Sequence, residues 1–75
     1  MYLEVYGKMA SIRLWEVRHK RGITLRELES MTGLGKTTLN NIENERVSPT
    51  IYEVEKICKA LNVTFKELFN SEYNP

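Results

Sequence analysis

Aspartate is absent from the 75 residues, and histidine and cysteine occur once each. Ten glutamates remain as carboxylates, but Cys/His metal sites and histidine-centred acid–base catalysis have little to draw on. Cys58 has no second thiol to pair with and no Cys or His neighbours at zinc-site spacing, so the fold is neither stapled nor metal-built, and no cofactor is called for. His19 lies in a basic run, where it reads as a solvated side chain near a helix end. With no phosphate-binding glycine loop and no nucleophile beside an evident base, the chain is not expected to be an enzyme. Apolar residues make up 41% of the sequence, yet no run approaches the ~18 that a membrane span needs, and the N-terminus lacks a charged-then-apolar signal pattern. A soluble, cytoplasmic chain with no membrane partner is expected. Its length suits one domain, near the lower limit for independent packing. No room is expected for a separate ligand-sensing domain, which leaves regulation to concentration, dimerisation or a regulatory protein partner.

An excess of one charge is lacking too, the net being +1. Binding to nucleic acid depends on local Lys and Arg more than on the total, so distribution matters more. Through Arg46 there are eight basic and six acidic residues, against three and four from Val47 onward, which makes the N-terminal two-thirds the better binding face. The densest basic run, Arg18-His19-Lys20-Arg21, also suits a solvated helix C-terminus.

Apart from the first six residues, which alternate and could pair as a strand with a second copy or form a loose leader, no strand pattern is present. Helix starts are well marked. Thr24-Leu-Arg-Glu27, Thr50-Ile-Tyr-Glu53 and Thr64-Phe-Lys-Glu67 each set a threonine three residues before a glutamate, a reciprocal capping box. A helix of about ten residues before Gly22 and another opening near Gly35 bring the count to five. Gly22, Gly33 and Asn62 suit the left-handed position that ends a helix. Apolar stripes supply the core: Leu14 and Val17; Leu25, Leu28 and Met31; Leu39 and Ile42; Ile51, Val54, Ile57, Cys58 and Leu61; Phe65, Leu68 and Phe69. An all-α domain is expected over residues 11–69, with an N-terminal arm or leader at 1–10 and a tail at 70–75.

The third helix has two faces. At 100° per residue, Lys36, Thr37, Asn40, Asn41 and Asn44 share one arc, and Leu39 and Ile42 lie opposite. The polar arc lacks bulk and acidic charge, which suits the major groove. Lysine can donate to guanine, asparagine can pair with adenine, and threonine offers a hydroxyl and a methyl to thymine.

In these residues the sequence resembles the Cro/C1-type (XRE family) helix-turn-helix regulators. The likeness runs from about Ile12 to Phe69 through Leu14, Val17, Arg18, Gly22, Ile23-Thr24, Leu28, Gly33-Leu34, Thr38-Leu39, Ile42-Glu43-Asn44, Pro49-Thr50, Ile57, Ala60-Leu61, Val63 and Leu68-Phe69. The resemblance implies a five-helix, lambda-repressor-like DNA-binding domain whose helix-turn-helix is formed by helices two and three. It implies base contacts from Lys36, Thr37 and Asn41, with Asn40 beside them. It implies phosphate contacts from Asn44 and from the loop holding Arg46 and Ser48, and an internal ion pair between Arg18 and Glu43. Two positions depart from the family. Leu25 stands where many relatives use glutamine to clamp a phosphate, so that contact is expected to be lost or to pass to Arg26 or the Thr24 backbone. Glu29 stands where a small residue is usual, because helices two and three approach there, and its stem is expected to bend outward.

The function so implied is a sequence-specific transcriptional regulator of the repressor type, binding a palindromic double-stranded DNA operator as a homodimer. Helix five and the tail, with Phe65, Phe69 and Tyr73, are candidates for the dimer surface. A second reading stays open: a protein-interaction module of the same fold, such as an antitoxin-like or anti-repressor component, favoured by the near-neutral charge and by Leu25.

Overall fold

A computed structural model describes residues 4–5, 8–9 and 11–70. Five helices follow in order, α1 (Leu14–Lys20), α2 (Leu25–Thr32), α3 (Lys36–Glu43), α4 (Ile51–Leu61) and α5 (Phe65–Leu68). Four two-residue strands complete the described elements. Strand β1 (Glu4–Val5) pairs antiparallel with β2 (Lys8–Met9), and β3 (Ser11–Ile12) with β4 (Phe69–Asn70). Glu4 and Val5 thus pair with a nearby segment of the same chain. The pairing of Asn70 with Ser11 continues ordered backbone one residue past the expected domain limit of 69. The remainder of the expected tail, Tyr73 included, lies outside the described residues.

All three threonine boxes are formed. The hydroxyls of Thr24, Thr50 and Thr64 accept from the backbone N–H of Glu27, Glu53 and Glu67 at 3.1 Å, and each threonine N–H donates back to the glutamate carboxylate at 2.8–2.9 Å. These bonds favour the charged carboxylate and hold the Glu27 and Glu67 carboxyls below their usual value. The unfolded chain therefore takes up protons first. Stability from the boxes is complete above the ordinary glutamate range and is lost as pH falls through the lower, folded values. A Glu27→Gln, Glu67→Gln double variant is expected to lose less melting temperature than the parent between pH 5 and pH 3, the range in which glutamates protonate; parallel curves from thermal melts in that range would contradict this.

Helix α1 has seven residues rather than about ten. Its first turn is consumed by the strand pairing: Ser11 and Ile12 are extended against β4, and the Arg13 N–H donates to the Leu68 carbonyl at 2.7 Å. Helix ends follow the expected signals at Gly22 (φ 70°), Gly33 (φ 77°) and Asn62 (φ 54°). Helix α3 ends without glycine. Glu45 takes the left-handed position at φ 57°, the Glu45 N–H donates to Ile42 and the Arg46 N–H to Asn41. For a residue with a Cβ this conformation costs roughly 1–2 kcal/mol. Part of that is offset because the Glu45 carboxylate accepts from the Ile12 N–H at 3.0 Å, tying β3 to the loop after α3.

Every helix contributes to one core of Leu14, Leu28, Leu39, Ile42, Val54, Ile57, Leu61 and Leu68. Val17, Leu25, Cys58 and Phe69 pack against it half-buried, and burial pushes the Cys58 thiol up, with the charge of Glu67 adding to the effect. Three residues of the expected stripes are on the outside: Met31, Ile51 and Phe65 are 52%, 69% and 53% exposed. On α2 the inner face is centred on Leu28 and Thr32, and Met31 is displaced by about 100° from Thr32. Ile51 and Phe65 each open a helix, one residue after the cap, and Ile51 lies roughly 90° round α4 from the centre of the buried Val54, Ile57 and Leu61. Pro49 is buried ahead of Ile51, and the Phe65 ring stacks on Phe69 with centroids 4.6 Å apart.

Candidate nucleic-acid interface

Helix α3 is fixed by what lies behind it. Leu39 and Ile42 are completely buried, and α3 packs against both α1 and α2. Burying that face leaves Lys36 and Thr37 exposed and Asn40 and Asn41 half-exposed on the other. No carboxylate belongs to this polar face, because the Glu43 side chain is only 6% exposed and faces Arg18. The Arg18 Nε donates to Glu43 Oε2 at 2.9 Å, its Nη2 to Oε1 at 3.1 Å, and its Nη1 to the Ile23 carbonyl at 3.0 Å. A guanidinium held this way anchors α1 to the end of α3 and to the start of the segment leading into α2. The Arg18 side chain is thereby left only 9% exposed.

The rest of the basic run is also largely occupied. The His19 ring stacks on Trp15 with centroids 3.8 Å apart, and the Arg21 Nη2 donates to the Asn62 carbonyl at 3.2 Å. The stack lies within α1, and the Arg21 bond ties the end of α1 to the end of α4.

The turn between α2 and α3 is held by side chains that periodicity does not reveal. The buried Thr32 hydroxyl donates to the Leu28 carbonyl at 2.7 Å and accepts from the Leu34 N–H at 3.1 Å. Gly33 closes α2 by donating to the Glu29 carbonyl at 2.8 Å. Gly35 is the cap residue of α3 and has no side chain to offer, and the Glu29 Oε2 accepts from the Lys36 N–H at 3.1 Å instead. The Glu29 side chain, expected to bend outward, is half-buried and reaches along the turn to the head of α3. A glutamate four residues before Gly33 and seven before Lys36 was the only sequence signal for this bond.

The expected phosphate contacts are arranged unevenly. Arg26 and Arg46 are exposed. Ser48 is half-buried and already interacts within the chain. The Thr24 N–H is taken by Glu27. The Asn44 side-chain amide donates to the Asn40 carbonyl at 2.9 Å and to the Asn40 Oδ1 at 3.1 Å. Using Asn44 against a phosphate requires breaking these bonds, and the same step would free the Asn40 amide oxygen.

Among the described residues there is no cluster of His, Cys, Asp or Glu able to hold a metal ion, and no helix is long and apolar enough to cross a membrane.

The family of Cro/C1-type helix-turn-helix DNA-binding domains matches residues 13–73. The chain is similar to the HTH-type transcriptional regulators PuuR and SutR of Escherichia coli, with 30% and 36% identity over 63 residues, 84% of the chain. It spans only 34% and 35% of the length of those two proteins. Among solved structures, the restriction-modification controller protein C.AhdI from Aeromonas hydrophila has the same fold, with a TM-score of 0.67 over 69% of this chain and 79% of that one, at 23% identity.

Proposed function

Because the chain belongs to the family of Cro/C1-type helix-turn-helix DNA-binding domains, we propose that it is a transcriptional regulator of the repressor type that reads the major groove with α3. The supporting observation is the two-faced α3: Leu39 and Ile42 are fully buried, while Lys36, Thr37, Asn40 and Asn41 lie opposite them. Lys36 and Thr37 occupy the first turn, the part of a recognition helix that reaches base edges. Arg26 and Arg46 flank the helix and neutralise backbone phosphates. Two copies on a palindromic operator would place their α3 helices about 34 Å apart, one turn of the duplex.

Selecting duplexes from a random pool tests this reading directly, since recovered sequences would report binding, half-site and spacing together. On the selected site, Lys36→Ala is expected to cost about 1–3 kcal/mol and to relax base preference. Arg46→Ala is expected to weaken all sequences alike and to reduce the salt slope by about one. If the two variants weakened all sequences equally, the base-reading role of Lys36 would be lost. No retention on random DNA even at low salt would favour a protein-binding module instead.

A further inference from the structure

We propose that Glu29 is a positioning residue for base reading: from α2 its carboxylate caps α3 and holds Lys36 and Thr37 in register. The inference rests on the assignment of α3 as the reading helix. Helices α2, α4 and α5 are each capped by their own threonine, whereas α3 opens at Gly35, which has no side chain to cap with. Glu29 Oε2, 3.1 Å from the Lys36 nitrogen, accepts the first of the open N–H groups at the head of α3. The same residue closes the preceding helix, its carbonyl accepting from the Gly33 N–H at 2.8 Å. One residue therefore ties both ends of the turn, through its backbone to the end of α2 and through its side chain to the start of α3. Thr32 fastens the middle of the turn through Leu34.

Such a brace bears directly on reading bases. A bidentate contact requires its side chain to be placed within roughly half an ångström, and the backbone of Lys36 is the root of that placement. A carboxylate also suits the positive end of the helix dipole. Its charge opposes DNA phosphates on every sequence alike and so leaves the ratio between preferred and scrambled duplexes unchanged. The hydrogen-bond acceptor is what governs that ratio. Without it the first turn of α3 frays, Lys36 and Thr37 sample several placements, and sequence preference declines while general attraction to DNA persists.

Glu29→Ala and Glu29→Gln in the full chain separate these effects, because glutamine keeps an acceptor and removes the charge. Two readouts are compared: the affinity ratio between the selected and a scrambled duplex, and hydrogen exchange at the Lys36 amide without DNA. The alanine variant is expected to lose about tenfold in the ratio and to exchange about tenfold faster at Lys36, the scale of one hydrogen bond. The glutamine variant is expected to stay within about twofold of the parent in both, on the same scale. The inference is overturned if alanine leaves both readouts unchanged, if glutamine loses as much as alanine, or if alanine weakens both duplexes equally while lowering the melting temperature, as a purely structural residue would. A parent chain that selects no duplex would instead defeat the base-reading assignment, and the exchange measurement alone would still decide whether Glu29 caps α3.

Discussion

Replacing Glu43 with glutamine is expected to destabilise the domain by about 3 kcal/mol or more, the lower end of what breaking a buried pair costs. The side chains of Arg18 and Glu43 are 9% and 6% exposed and share two hydrogen bonds, so the substitution leaves a cation with little water and no counter-charge. For a domain of this length, each kcal/mol shifts the midpoint by about 4–8 °C, so a fall of at least about 12 °C should appear in a thermal melt. An unchanged midpoint would show that the pair is solvated enough to be dispensable. The companion variant, Arg18→Met with Glu43→Leu, is expected to recover most of the loss, because removing both charges removes the desolvation penalty together with the attraction. Recovery should be incomplete, since the Ile23 carbonyl loses the donor that Arg18 Nη1 supplies. Any loss of DNA binding in the single variant would then follow from misplacing the end of α3.

Leu39→Ala is expected to cost about 2–5 kcal/mol, because Leu39 is fully buried and the space it leaves lies beneath α3. A small domain has about 0.05–0.15 kcal/mol of net stability per residue, so this one loss is a large share of the total. Met31→Ala gives the contrast. Met31 belongs to the apolar stripe of α2 by spacing but is 52% exposed, and its truncation is expected to stay within about 0.5 kcal/mol. Chemical denaturation of the two variants side by side checks both values. Equal losses would place Met31 in the core and contradict the observed packing.

The contrast between Leu39 and Met31 illustrates a wider difference in what a linear pattern reveals. Helical spacing assigns an angle around the axis, and it served well for Leu14, Leu28, Val54, Ile57, Leu61 and Leu68. It resolves that angle only to a broad arc, which is why Met31, Ile51 and Phe65 fall within the stripes although all three are exposed. Caps were legible because their partners lie three residues apart on one strand of sequence. The end of α3 was not, since Glu45 takes a left-handed conformation without being glycine and gains an acceptor role toward Ile12 from 33 residues away.

The candidate interface divides in the same way. Lys36, Thr37, Asn40 and Asn41 share a face by spacing alone, and the burial of Leu39 and Ile42 orients that face outward. That Asn44 is engaged with Asn40, and that the Thr24 N–H is engaged with Glu27, changes which groups are ready to meet a phosphate.

By itself the sequence determined the helical class, three of the helix starts and the two-faced character of α3, because capping and amphipathicity are local properties with fixed spacing. Only the tertiary structure decided how the turn between α2 and α3 is braced, which stripe residues reach the core, and how β3 meets β4. Those outcomes depend on hydrogen bonds and contacts between residues whose separation in the chain obeys no period, as with Glu29 and Lys36 or Arg13 and Leu68. Folding brings these groups to within 3.1 and 2.7 Å of one another, and neither partner alone carries a sign of the other.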